Sequence, residues 1–226
     1  GTLALAQNGT FTAGTYTTEA GATTTISSSS KLAVTGTLTQ AAGSTLTVGV
    51  GAANSPAITA GSASINGALT ISGVDTTQPL KASDLTGKQF SILSTTSGIT
   101  GNFSSINFGT AASPADYLTL AGRKSADTLN YSVGLGLTWL AGTQNGNGIF
   151  TLANATDTFN VDVVLANQTG PFTTSWNGRD LTKNGAGNLS LSAVNTYTGA
   201  TTINGGTLTT GVANAFANST SVVVGS

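Results

Sequence analysis

Cysteine and histidine are both absent from the 226 residues. Their absence removes thiolate and imidazole metal ligands, cysteine nucleophiles and every catalytic scheme built on a histidine base. It also removes the disulfide framework of a small stapled module, and it suits a chain that must cross an oxidising periplasm unfolded. Charge is scarce as well: seven Lys and Arg stand against eight Asp and Glu, for a net charge of −1. With no basic cluster, phosphate-backbone recognition has nothing to act through, so no nucleic-acid partner is expected. Proline occurs four times and aromatic residues make up 6%. Low charge and few aromatics are also traits of disordered chains, but a mean hydropathy of +0.16 implies buried apolar surface.

Long hydrophobic runs are missing too. Leu3 to Ala6 is too short for a signal-peptide core or a membrane helix, and no outward apolar girdle recurs as in a membrane barrel. The chain starts with Gly and reads as a piece of something longer. What is abundant is Gly, Thr, Ser, Asn and Ala, the mixture of short strands and tight turns.

The productive signal is self-similarity. Residues 14–26 (GTYTTEAGATTTI) align without gaps on residues 36–48 (GTLTQAAGSTLTV), an offset of 22 (36 − 14). Tyr16 falls on Leu38, Gly21 on Gly43, Thr23 on Thr45, Thr25 on Thr47 and Ile26 on Val48. Within each unit apolar residues alternate with Thr or Ser, as in Leu46, Val48 and Val50, which is the period of a half-buried strand. A period in the twenties with strand triplets and Gly turns is the mark of a solenoid. The expected fold is therefore all-β, a parallel β-helix (β-solenoid) with about three short strands per coil and no long helix. The same grammar returns later: Gly187-Asn-Leu-Ser-Leu recurs at Gly206-Thr-Leu-Thr-Thr, a shift of 19 (206 − 187). Gly51–Pro56 and Ala111–Asp116 break the pattern most and read as loop excursions.

Several segments together resemble the C-terminal passenger region of monomeric type V secretion autotransporters of Gram-negative bacteria, nearest to the self-associating adhesin type. Gly87-Lys-Gln-Phe-Ser-Ile-Leu93 with Gly98-Ile-Thr-Gly-Asn-Phe103 is similar to the coil that ends a passenger helix. Tyr117-Leu-Thr-Leu120 and Leu129-Asn-Tyr-Ser-Val133 look like the strands that follow. Leu137-Thr-Trp139, Gly148-Ile-Phe-Thr-Leu152 and Ser175-Trp-Asn-Gly178 running into Leu181-Thr-Lys183 resemble the cap and autochaperone region. Asn195-Thr-Tyr-Thr-Gly199 and Thr201-Thr-Ile-Asn-Gly-Gly-Thr-Leu208 complete a passenger-associated transport repeat.

The resemblance implies a right-handed, three-stranded β-helix on the bacterial cell surface or secreted, with residues 1–120 as passenger coils. Residues 121–226 then form a cap and autochaperone-like region that contains the transport repeat at 181–208. It implies a non-enzymatic adhesin acting in aggregation, biofilm formation or host attachment. Its partners would be passengers on neighbouring cells or host-surface and matrix molecules, and its own outer-membrane barrel; no cofactor is expected. The alternatives are a purely structural stalk and autochaperone and, less favoured, a β-helical polysaccharide-degrading enzyme. The folding candidates it points to are Trp139, Phe172, Trp176, Gly178, Leu181, Gly185, Gly187, Leu189, Leu191, Asn195, Tyr197, Gly199, Gly205, Gly206 and Leu208.

Trp139 and Trp176 have the shape of sugar-stacking platforms, but aromatics beside strand triplets read first as core or cap. Asp157 and Asp162 lie five apart and face opposite sides of a strand, which reads as turn or edge acids rather than a glycosidase pair. No Asp-x-Asn-x-Asp calcium loop occurs, and Gly142–Gly148 lacks the Lys-Ser/Thr of a phosphate loop, so a turn is expected there. Arg179 and Lys183 flank the Trp176 turn with charge suited to acidic polymers, but beside Asp180 they read more simply as a local neutral cluster. Stacked Thr-x-Thr pairs at Thr15/Thr17 and Thr37/Thr39 would suit an ice-contacting face, but the pattern is expected to lapse between Asn54 and Ser83.

Overall fold

The computed structural model describes residues 1–50, 55–74, 81–109, 115–142 and 145–225. The excursions expected at 51–56 and 111–116 lie largely outside the described residues, as do positions 143 and 144 of the expected 142–148 turn. The described chain is all-β and mostly parallel, with several sheets built from a recurring unit. Helical structure among the described residues is limited to one turn at Ala82–Leu85 and a 3-10 turn at Thr138–Leu140. The chain divides into two compact units that interleave in sequence. The first holds residues 1–75, 89–113 and 120–134, and the second holds 76–88, 114–119 and 135–226.

The first unit runs through β1 (Thr2–Leu5), β2 (Gly9–Ala13), β3 (Tyr16–Thr18), β4 (Thr23–Ile26), β5 (Ser30–Gln40) and β6 (Thr45–Gly49). It continues with β7 (Ile58–Ile65), β8 (Ala68–Ser72), β9 (Gln89–Thr95), β10 (Ile99–Gly101) and β11 (Ser105–Phe108). Three parallel ladders relate these strands. One pairs β1, β4, β6, β8 and β11 in that order, with Thr23 opposite Thr2 and Thr45, and Ala68 opposite Thr45 and Ser105. A second carries Phe11, Leu32, Ile58 and Leu93, and a third carries Tyr16, Leu38, Ala63 and Ile99. The 22-residue alignment read from the sequence is therefore the actual strand register: Tyr16 lies opposite Leu38 and Thr23 opposite Thr45.

Alternation explains which face is buried. In β4 and β6 Ile26, Leu46 and Val48 are at most 1% exposed, while Thr23, Thr25, Thr45 and Thr47 point the other way. Leu5, Ile26, Val48 and Ile71 stack in one internal column, each contributing about 2 kcal/mol when fully covered. The corner that splits β5 falls at Gly36, where the ladder to β7 shifts register between Val34 and Thr37. A side chain there would meet the Gly14 carbonyl of the coil below at 2.8 Å, and one at Gly61 would meet the Thr35 carbonyl at 2.8 Å. Only hydrogen at these positions lets successive corners nest. One other corner is polar inside. Gln40 donates to Thr18 Oγ1 at 2.9 Å and accepts from Ser44 Oγ at 3.1 Å, while Thr24 Oγ1 lies 2.8 Å from Thr18 Oγ1 and 2.7 Å from the Tyr16 hydroxyl.

The rows of Thr37 and Thr39 continue after Asn54 as Ser62 and Ser64, so the Thr-x-Thr pattern lapses as expected while the hydroxyls stay in register. Not every strand is parallel: β12 (Leu118–Lys124) and β13 (Asn130–Leu137) follow, and β13 runs antiparallel to β9, with Tyr131 opposite Leu93. The turn between them, held by Asp127 accepting from Ser125 Oγ and the Leu129 amide, reverses the chain before a coil can be completed. The division expected between residues 120 and 121 falls inside β12.

The second unit contains β14 (Ile149–Thr151), β15 (Thr158–Val161), β16 (Leu181–Asn184), β17 (Asn188–Leu191), β18 (Thr201–Ile203), β19 (Thr207–Thr210) and β20 (Val222–Val224). Two parallel ladders run through it, β14-β16-β18-β20 and β15-β17-β19. Asn188 lies opposite Thr207, and Leu189 opposite Leu208, so the 19-residue shift is also a true register.

Candidate functional site

The folding candidates lie in the second unit, and the fold brings most of them together. Trp139 sits on the short 3-10 turn, fully buried, and its indole N–H donates to the Ala166 carbonyl at 2.8 Å. Its ring meets Trp176 edge-on at 4.8 Å between centroids and Tyr197 at 5.3 Å, and Phe172 lies 5.0 Å from Trp176. Four aromatic residues spread from 139 to 197 thus form one cluster in the tilted and edge-to-face geometries that add to simple burial. Trp139 is core rather than an exposed sugar platform. The half-buried Trp176 is tied down by its indole N–H donating to the Asp180 carbonyl at 2.8 Å. Gly178 and Gly199 are buried small positions beside this cluster: a side chain at Gly178 would strike the Gln168 carbonyl, and one at Gly199 the Asp180 carboxylate and Arg179 backbone.

Leu181, Leu189 and Leu191 are each 0% exposed and form the inward face of their strands, whereas Leu208, on the edge strand of its ladder, is half-buried. Gly187 is buried against the Asp157 and Asn154 carbonyls. Gly185 and Gly206 have φ of +77° and +64°, and a side chain at either would run into backbone of the preceding coil, Leu152 for Gly185 and Gly187 for Gly206. Gly205 supplies its carbonyl to Lys183.

Asn195 links three stretches of chain that carry no strand, at Leu165, Asn195 and Ala215. Its side chain is 1% exposed; Oδ1 accepts from the Leu165 amide at 2.8 Å and Nδ2 donates to the Ala215 carbonyl at 2.8 Å. One amide thereby joins three layers of chain. Next to it the Tyr197 hydroxyl lies 2.7 Å from Thr201 Oγ1, which lies 3.0 Å from Ser219 Oγ. Burial pushes the Tyr197 phenol up, partly offset by the Thr201 bond.

Sequence reading missed a second aromatic group. Tyr117 stacks on Phe150 at 5.6 Å and lies 4.6 Å from Phe159, all three buried. Burial first, then the negative charges of Asp116 and Asp157, push the Tyr117 hydroxyl up to about 12. Alternation in β15 and a strand at Ile149–Thr151 were the available signals for Phe150 and Phe159.

Lys183 stands apart from the expected neutral cluster, since the Asp180 carboxylate accepts instead from Asn177 Nδ2 and the Ala200 amide. The Lys183 side chain is 0% exposed, and Nζ donates to the carbonyls of Asn184 at 2.8 Å, Gly185 at 2.8 Å and Gly205 at 3.1 Å. Burial lowers its pKa. The signal was its place two residues after the inward Leu181; Arg179, by contrast, is exposed. Asp157 and Asp162 serve separate turns: Asp157 accepts from the Asn154 amide at 2.8 Å, and Asp162 from the Ser83 amide at 2.9 Å and Ser83 Oγ at 2.6 Å. Burial raises the Asp162 pKa, but these Ser83 bonds and then Lys81 outweigh it, leaving the carboxyl below its ordinary value. Among the described residues no three Asp or Glu side chains come together as a metal site.

What this arrangement does chemically is hold successive turns of chain in one register through buried aromatic contacts and buried side-chain to main-chain hydrogen bonds. No curated protein and no solved structure matches the chain. Residues 181–209 match the family model described as the passenger-associated-transport-repeat, a likeness that points to an autotransporter-type passenger for the stretch holding Lys183, Asn195 and Tyr197.

Proposed function

We propose that this chain is a non-enzymatic stretch of an autotransporter-type surface passenger, wound as a right-handed parallel β-helix of three strands per coil. Its C-terminal coils act as the autochaperone that folds first and seeds folding of the chain before them. Support for the three-sided coil comes from the ladder order of the first unit, in which partners return every third strand segment. The observation that carries the templating role is the concentration of internal fastening in the second unit. An isolated coil of a solenoid cannot bury its own apolar face, so the first coil to fold needs fastenings that its neighbours do not supply. The aromatic cluster around Trp139 and the buried amide of Asn195 are fastenings of that kind.

Both tryptophans lie in the second unit, which makes the order of folding readable. On dilution from urea, tryptophan fluorescence should recover before the far-ultraviolet strand signal is complete. The Trp139→Ala chain should recover its strand signal at least tenfold more slowly than the parent. If strand signal returns first, or Trp139→Ala leaves its rate unchanged, the templating role is wrong.

The adhesive reading draws support from the outer faces. Thr25, Thr47 and Thr70 form an uncharged column, and Thr37 and Ser62 hydroxyls meet at 3.0 Å across successive strands. A repeated neutral surface binds by many bonds of about 1 kcal/mol each and gains strength by avidity. Cells displaying the chain should clump or attach to host-matrix molecules; a display strain that does neither leaves the stalk and autochaperone role alone.

A further inference from the structure

Lys183 stands at an inward position of β16, between Phe150 of β14 and Ile203 of β18. An ammonium group brings three N–H donors and no acceptor, and the three main-chain carbonyls around it match that number. Among the described residues no carboxylate is a hydrogen-bond partner of Lys183, so the charge is balanced by dipoles. Two of the carbonyls, Asn184 and Gly185, belong to the turn that ends its own strand. The third, Gly205, belongs to the equivalent turn one coil later. That third acceptor arrives only when the coil of β18 and β19 has stacked on the coil of β16 and β17. A slip of one residue would move the carbonyl away and turn the inward side chains of β18 outward.

We propose that Lys183 fills a built-in cation site, a cage of three main-chain carbonyls from two successive turns, and so sets the register in which the later coil stacks on the earlier one. Lys183 is a positioning residue for the templating role described above, and on that reading it makes the coil pair fold as one cooperative piece. The cage is made by backbone, so it survives when the tether is removed. In a Lys183→Ala chain it should accept a free ammonium ion, which offers the same N–H donors.

The test uses the full chain, with urea unfolding followed by tryptophan fluorescence. Lys183→Met, similar in length but without donors, should lower the folding equilibrium constant at least tenfold. Lys183→Ala should lose at least as much and should regain threefold or more in ammonium chloride, but not in tetramethylammonium chloride of equal ionic strength. A Lys183→Met chain as stable as the parent overturns the proposal, since a buried charge that serves no register role is often replaced without loss. Equal responses to the two salts overturn it as well. Should the variants not fold, the parent answers alone: nitrogen-15 labelled Lys183 should give a protected ammonium resonance at neutral pH, and a resonance lost to fast exchange refutes the cage. Templating is read separately, by the strand-signal rate of Trp139→Ala, so each idea can fail without the other.

Discussion

Replacing Asn195 by alanine is the sharpest test of how the second unit is fastened. The substitution strips the acceptor from the Leu165 amide and the side-chain donor from the Ala215 carbonyl, both bonds being 2.8 Å long and buried. An unsatisfied buried group costs about 1–3 kcal/mol. Leu165 N–H carries the full penalty, whereas the Ala215 carbonyl retains the longer bond from the Asn195 amide at 3.4 Å and carries less. The expected loss is about 3 kcal/mol, roughly a hundredfold in the folding equilibrium constant. Urea titration followed by tryptophan fluorescence reads it directly, because both indoles report on this unit. Asn195→Asp keeps an acceptor for Leu165 but turns a carboxylate toward the Ala215 carbonyl, so it should be no better than alanine near neutral pH and should improve as pH falls. A loss under about 0.5 kcal/mol for Asn195→Ala, the range of an ordinary surface residue, would refute the idea that this amide fastens the three stretches of chain together.

Three further outcomes follow from the same geometry. Because the folded pKa of Tyr117, about 12, lies above the ordinary 10, the folded chain holds that proton more tightly than the unfolded chain. The stabilisation is whole below pH 10 and falls away as pH rises toward 12, by at most about 3 kcal/mol, and Tyr117→Phe should shrink the fall in an alkaline stability profile. Gly206→Ala should cost well over the ~1–2 kcal/mol of left-handed strain, since its side chain strikes the Gly187 carbonyl, whereas Gly21→Ala, with open space around it, should cost the strain alone in thermal unfolding. Leu189→Ala should lose about 2–5 kcal/mol, while Val194→Ala, 54% exposed, should stay within about 0.5 kcal/mol; equal losses would mean the inward face is misassigned.

Coil register and inward face were written in the sequence, because a strand has a side-chain period of two and a coil repeats it at nearly constant length. That is why matching Tyr16 to Leu38 and Leu189 to Leu208 from letters alone reproduces the pairing of the folded chain. Composition, too, determined much: without cysteine and histidine, and with so little charge, the interior had to be held mainly by apolar columns and by hydrogen bonds between neutral groups. Only the tertiary structure decided which polar residues turn inward. Lys183 follows Leu181 by two and so lay on the buried face all along, yet a lysine is read as solvated until three carbonyls from two turns are seen to surround it. Likewise Trp139, Trp176 and Tyr197 are far apart in the chain, and their contact depends on how turns of unequal length bring them to one place. The reversal that sets β13 antiparallel to β9 was equally hidden, since alternation marks a strand's faces and says nothing of its direction.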